Sequence, residues 1–247
     1  MLNKVFKYRF KKAFTMLEVI FVIVVAGILA AIILPQTRTD PIYEAANQLL
    51  SHIRYTQHLA MVDDKYNTNR IDDGGNVIWY KDRWQLVFAS SQFTDNEVAY
   101  TIFSDTQGTA VGRGDPNESE VALNPQNPDQ LMTGGHTVAA ALDYTNAGFR
   151  GMKKLNLGKS YGVDSVTLNG GCANSRISFD YLGRPFTGDQ STMINPYNAY
   201  NPYDSNKQRL ITANCDVNVT AGSRSIIIRV APETGYACIL DDAFNCI

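Results

Sequence analysis

Residues 13 to 35 read AFTMLEVIFVIVVAGILAAIILP, and the nature of this stretch decides what the rest of the chain can be. From Val19 to Leu34 there are 16 residues without one polar side chain, and from Phe14 to Pro35 there are 22 residues in all. At about 1.5 Å per helical residue such a segment reaches roughly 33 Å, enough to cross a hydrocarbon core of about 30 Å. A secretory signal would carry an apolar run of roughly 7–15 residues and then a small-x-small cleavage site. Here the run is longer, and its small residues Ala30 and Ala31 lie inside it, before IILP. The sequence therefore predicts a retained membrane helix. One residue does not belong in it: the carboxylate of Glu18, close to its start.

The flanks give the helix a direction. Lys4, Lys7, Arg9, Lys11 and Lys12 crowd the first 13 residues, which hold no acid. The chain has 22 basic and 24 acidic residues, so removing these five leaves 17 against 24 and a charge of −7 from Phe14 onward. Positive flanks stay in the cytoplasm, which puts the bulk of the chain on the other side of the membrane. An acid inside an apolar helix costs less near an end than at the centre, so Glu18 can reach back towards Lys11 or Lys12. A sharper use follows if the chain is cut before Phe14. The basic residues leave, a new α-amino cation appears four residues from Glu18, and the same cation on a neighbouring molecule comes within reach. A buried charge demands a partner, so Glu18 would fix the stagger of identical packed helices.

Downstream of Pro35, PIYEAANQLLSHIRYTQHLAMVDD places Ile42, Ala45, Ala46, Leu49, Leu50, Ile53 and Ala60 on one face at helical spacing. Asp40 can cap this helix and Pro41 can open it; alternatively the apolar helix runs through, kinked at Pro35 and Pro41. Strands are expected at 77–80, 83–88, 98–103, 163–168, 176–181, 216–220, 224–230 and 236–240, from their β-branched and aromatic content. In RISFDY, Ile177, Phe179 and Tyr181 alternate as in a half-buried strand, and TAGSR reads as a hairpin loop. The expected class is α+β, a long N-terminal helix packed on antiparallel sheet. Residues 104–136 and 187–208, rich in Gly, Pro, Asp, Asn and Ser, are expected as long loops.

Four cysteines follow late: Cys172, Cys215, Cys238 and Cys246. With no CxxC pair and no histidine at ligand spacing, they predict no metal site. On the trans side of a membrane an even number reads as disulfides. Three connectivities are open, with Cys238–Cys246 and Cys172–Cys215 favoured; four buried free thiols are the other possibility.

KKAFTMLEVIFVIVVAGILAAIILP resembles the N-terminus of type IV prepilins and pseudopilins: a short basic leader, a small residue, Phe-Thr-x-x-Glu, then an apolar helix ending in proline. The resemblance implies cleavage between Ala13 and Phe14 by a prepilin peptidase, N-methylation of Phe14, an assembly role for Glu18, and the family's helix kink at Pro35. The family usually has glycine where this chain has Ala13. On this reading residues 1–13 are a cytoplasmic leader, 14–35 the transmembrane and filament-core helix, 36–63 an amphipathic continuation, and 64–247 a periplasmic β-rich domain. A second resemblance covers AANQLLSHIRYTQHLAM, RWQLVF, RISFDYLGRPF and SIIIRVAPETGYACI, in the order seen in the H-type minor pseudopilins (GspH/FimT-like). It implies a minor subunit of a type II secretion pseudopilus or a type IV pilus. In FDYLGRP and PETGY, Gly183 and Gly235 supply turns tolerant of positive φ.

Nothing in the sequence makes a case for an enzyme or a cofactor. His52 and His58 are six apart and do not share a helix face, and His136 stands alone. There is no phosphate-binding loop, nucleophile elbow or nucleophile–base pair. Asp63/Asp64 and Asp72/Asp73 read as solvated turn acids, and IDDGGN lacks the spacing of a full calcium loop. Arg113-Gly114-Asp115 matches an integrin-binding tripeptide, a match that a Gly-rich loop explains without a receptor. Tyr197, Tyr200 and Tyr203 either fold back on the sheet or offer an aromatic contact surface to another pilin or a secreted substrate. DNA binding rests on phosphate neutralisation, which a charge of −7 opposes; the places to look are Arg150, Lys153, Lys154 and Lys159, then Arg224 and Arg229. The rival readings are a FimT-like DNA-uptake pilin, a membrane-anchored receptor or adhesin that never polymerises, and an anchored hydrolase.

Overall fold

Pro41 needs no backbone N–H at the first turn of a helix, and a helix of 22 residues starts there. A computed structural model of the chain describes residues 15–33, 40–106, 114–172, 174–197 and 209–247. The chain divides into two units, Met1–Asp40 and Pro41–Ile247. In the first, helix α1 covers Met16–Ile33, 18 residues, and its described side chains are exposed on every face. A helix of that length is about 27 Å long, a little less than a hydrocarbon core. Among the described residues no helix is long and apolar enough to cross a membrane. The expected span of 14–35 also takes in Phe14, Leu34 and Pro35, which lie outside the described residues.

The second unit is α+β. Helix α2, Pro41–Val62, buries Ile42, Ala45, Ala46, Leu49, Leu50, Ile53, Thr56 and Ala60. The face is the one the spacing predicts, with Thr56 added. Thr56 tolerates burial because its hydroxyl donates to the His52 carbonyl, 2.8 Å away, so no polar group is left unpaired. The strands are β1 (Trp84–Ala89), β2 (Ala99–Ser104), β3 (Leu123–Asn124), β4 (Asn127–Leu131), β5 (Ser165–Gly170), β6 (Arg176–Phe179), β7 (Pro185–Thr187), β8 (Cys215–Ala221), β9 (Arg224–Val230) and β10 (Ala237–Ile239), with a short helix α3 (Leu157–Tyr161) before β5. They form two four-stranded antiparallel sheets, in order β2-β1-β6-β7 and β10-β9-β8-β5, and a β3-β4 hairpin. Helix α2 packs against β1 and β6 of the first sheet and against β8, β9 and β10 of the second. One apolar core results, with Leu49, Ile53, Leu86, Ile102, Phe179, Val217 and Ile228 at its centre.

Three expectations are corrected. Residues 77–80 form no strand: Val77 makes a single bridge back to Ile71, and Trp79–Lys81 is a 3-10 turn. Ile78 and Tyr80 are buried while Trp79 is half-exposed, so a turning backbone imitates the alternation of a strand. Residues 104–136 are not one loop. Their described part carries β3 and β4 and lies along β2, with Ala122 donating to the Ile102 carbonyl and Ile102 to that of Met132, each at 2.9 Å. Pro125 sits in the turn of this hairpin, where the Asn124 side chain accepts from the Gln126 amide, whereas Asn127 and Pro128 belong to β4 itself. In RISFDY, Ile177 and Phe179 are buried but so is Ser178, while Tyr181 lies beyond the strand and is 40% exposed. Strand β6 is interior to its sheet and covered on both faces, which erases alternation. Of 187–208, residues 198–208 lie outside the described residues; before them Gln190–Thr192 makes a 3-10 turn with Gln190 buried.

The cysteines pair as Cys172–Cys215 and Cys238–Cys246, with Cα separations of 5.0 and 5.4 Å. The first ties the loop between β5 and β6 to the start of β8. The second ties β10 to the segment 240–246 that folds back on it.

Candidate functional site

The site begins with Thr15. It stands just before α1, and its side-chain Oγ1 accepts from the Glu18 amide at 3.3 Å. The Glu18 carboxylate reaches back to accept from the Thr15 amide at 3.4 Å. The two residues thus close a long, open capping box, Thr-x-x-Glu, which satisfies two of the donors that a helix start leaves over. The carboxylate also lies at the positive end of the helix dipole, where negative charge is favoured. The capping role of Thr15 is the part that the reading of the sequence missed, although the spacing was in plain view.

Glu18 and its neighbours are exposed, and so is the apolar surface behind them: Met16 82%, Leu17 79%, Phe21 70% and Ile23 65%. A helix apolar all round is stable only where something apolar surrounds it. The Glu18 carboxylate, held by a single 3.4 Å contact from the Thr15 amide, keeps acceptor capacity for a stronger cationic donor. Ala13, Phe14 and Pro35, the other residues expected to act here, lie outside the described residues.

Several of the remaining candidates make contacts within the folded unit. Arg150 pairs with Glu118 at 2.5 Å, Lys154 with Glu44 at 3.6 Å and Lys159 with Asp95 at 2.6 Å. Arg229 is held in a two-pronged pair with Asp216 at 2.7 and 2.8 Å, which keeps its guanidinium above its usual pKa. Lys153 shares the 153–155 turn with Lys154, and Arg224 begins β9 at the hairpin turn. Four of the six basic residues considered for DNA, Arg150, Lys154, Lys159 and Arg229, are thus paired with acids. Tyr197 is 42% exposed, with its ring 6.4 Å from that of Phe186 and the Arg184 guanidinium 5.5 Å above it. Tyr200 and Tyr203 lie outside the described residues.

Gly114 of the Arg-Gly-Asp tripeptide is buried. Its amide donates to Asp105 at 2.6 Å, and its carbonyl accepts from Arg176. The Asp72 carboxylate accepts from the amides of Gly74 and Asn76 at 2.9 and 2.8 Å, which lowers its pKa and makes it a turn-former. His52 packs under the sheet, Nδ1 2.6 Å from the Tyr100 hydroxyl, and burial lowers its pKa to about 4. His136 is likewise lowered by burial, against the pull of Asp115 at 3.5 Å. Among the described residues no cluster of three or more His, Cys, Asp or Glu is placed to hold a metal ion.

Residues 8–34 match the family model described as the prokaryotic N-terminal methylation motif. The match supports a type IV prepilin-like protein and implies processing by a prepilin peptidase. No curated protein and no solved structure is matched by the chain.

Proposed function

We propose that the chain is a minor pilin or minor pseudopilin, a non-enzymatic subunit of a type II secretion pseudopilus or type IV pilus-like filament. The observation that carries this reading is the methylation motif over residues 8–34, together with the Thr15–Glu18 box at the head of an exposed apolar helix. The chain sits in the inner membrane through 14–35, its N-terminus cytoplasmic and its folded unit periplasmic. The peptidase cuts between Ala13 and Phe14, and Phe14 is N-methylated. Glu18 then exchanges its weak contact with Thr15 for the ammonium of Phe14 on a neighbouring subunit, a charge-assisted bond that fixes the stagger of packed helices. The order of helix and strands, with the FDYLGRP and PETGY turns, supports the H-type branch.

The test is the mass of the N-terminal peptide of protein purified from native membranes. A peptide starting at Phe14 and carrying one extra methyl is the expected result. A peptide starting at Met1, in cells whose peptidase processes another pilin, overturns the reading in favour of an anchored receptor.

A further inference from the structure

The two four-stranded sheets have four outer strands, and three of them are closed. Along β2, bridges run from Ala99 to Asn156, Thr101 to Thr133 and Phe103 to Val121. Along β7, Thr187 donates to the Arg209 carbonyl and Ile211 to that of Pro185, each at 2.9 Å. Strand β10 is three residues long, and Ile247 donates to its Ile239 carbonyl at 3.0 Å. Strand β5 is different. Its six residues, SVTLNG, keep an unbroken register with β8, and among the described residues nothing pairs with its other side.

Which backbone groups face outward follows from the neighbouring ladders. Ala231 donates to the Tyr236 carbonyl and Leu240 to that of Ile227, so odd-numbered residues of β9 bond to β10. Even-numbered residues of β9 therefore bond to odd ones of β8, and even ones of β8 to odd ones of β5. The amides and carbonyls of Val166 and Leu168 are left pointing away from the sheet. Natural edges are blunted by charge, proline, a bulge or a cover. Residues 165–170 contain neither a charge nor a proline.

We infer that β5 is a docking edge for a second copy of this chain, through antiparallel β5–β5 pairing about a two-fold axis at Thr167. The strand is self-complementary in this register. Val166 faces the partner's Leu168 and Leu168 the partner's Val166, giving four backbone hydrogen bonds from groups that already point outward. Both side chains lie on the core face, opposite Val219 and Val217 of β8, and are only partly buried, so pairing extends the apolar core across the axis. On the outer face Ser165 meets the partner's Asn169, and the exposed Thr167 meets the partner's Thr167, a favourable cross-strand pair at a Cα separation of about 4.5 Å. At the strand ends Asp164, already accepting from the Gly222 amide, falls opposite Gly170, so no like charges oppose. A strand from a different protein would need no such symmetry. The uncharged, internally matched sequence favours the second copy.

The full chain in native membranes tests this with a single added thiol. Thr167→Cys is expected to give a reducible dimer under mild oxidation, since a 4.5 Å separation lies within the span of a disulfide; peptide mapping should show both native disulfides intact. Ser223→Cys, at the β8–β9 turn, is expected to give none. In detergent, Thr167→Lys should lower the dimer fraction at least tenfold while Thr167→Val keeps it. A Thr167→Cys chain that stays monomeric although its thiol labels freely overturns the inference. So does a Thr167→Cys adduct formed only with another protein.

Discussion

One side-chain nitrogen, Nε2 of Gln57, donates both to the Gly183 carbonyl at 2.8 Å and to the Thr234 carbonyl at 2.9 Å. Gly183 lies in the turn between β6 and β7, and Thr234 in the turn between β9 and β10. The helix therefore clasps a turn from each sheet at a single point. Both turns use glycine at positive φ, Gly183 at 77° and Gly235 at 65°. A Cβ on Gly235 would stand 2.4 Å from the Gly183 carbonyl oxygen and 2.6 Å from Gln57 Nε2.

Replacing Gln57 by Ala removes both bonds and is expected to cost about 1–2 kcal/mol. Gly235→Ala adds left-handed strain and a backbone collision, and is expected to cost at least about 2 kcal/mol. Urea midpoints at fixed pH order the two. Equal midpoints for Gly235→Ala and the parent chain would refute the close approach.

The junction shows how far the sequence could be read. The buried face of α2 is legible because its period is local, and seven of the eight interior strands and edges of the two large sheets were placed to within a residue or two for the same reason. Only β7, three residues after a turn, was not foreseen. Gln57 is invisible in that reading, since its partners lie 126 and 177 residues away. The hairpin within 104–136 is hidden by a shorter separation of the same kind, since Ala122 and Met132 bond to Ile102 on β2 and not to a strand of their own local pattern. At the candidate site, Phe-Thr-x-x-Glu announces Glu18 through its charge in an apolar run, whereas the part played by Thr15 shows only where the helix starts.

Thr15 and Glu18 can be separated by experiment. Thr15→Ala is expected to weaken the helix start by about 1 kcal/mol while leaving filament entry intact. Glu18→Ala is expected to insert and fold but to be excluded from the sheared filament fraction. If both variants are excluded equally, Glu18 acts as a cap and the intermolecular pairing with Phe14 is wrong.

The disulfides should contribute unequally. Cys172 and Cys215 are 43 residues apart, and Cys238 and Cys246 only 8. Loop-closure entropy gives about 4 kcal/mol for the first and about 2.5 kcal/mol for the second. Paired Cys→Ala replacements, compared by denaturant titration, are expected to show that order. A larger loss from the C-terminal pair would point to a tertiary role for the residues it holds.

Acid should loosen the fold through His52. Its pKa falls from 6.5 to about 4 on burial, so the unfolded chain binds the proton more readily. The sign follows: this contribution is complete above pH 6.5 and is lost as pH drops towards 4. The loss is on the order of 3 kcal/mol. His52→Gln should keep a hydrogen-bond partner for Tyr100 and flatten stability between pH 7 and 4.5. His136, lowered by burial as well, should leave a residual slope. An unchanged slope would mean that His52 is protonated without penalty.

The apolar face of α2 has a consequence for how the molecule is made. Ile42 to Ala60 are synthesised early, yet the strands that cover them reach as far as Ala237–Ile239. At about 5–20 residues per second the helix waits roughly 10–35 s for its last neighbour. During that interval the newborn chain has at hand, of the strands that pack on α2, only those of the first sheet, and the part of the stripe that β8, β9 and β10 cover stays exposed. Either a chaperone must shield it, or its own traffic must keep it apart from other unfinished copies.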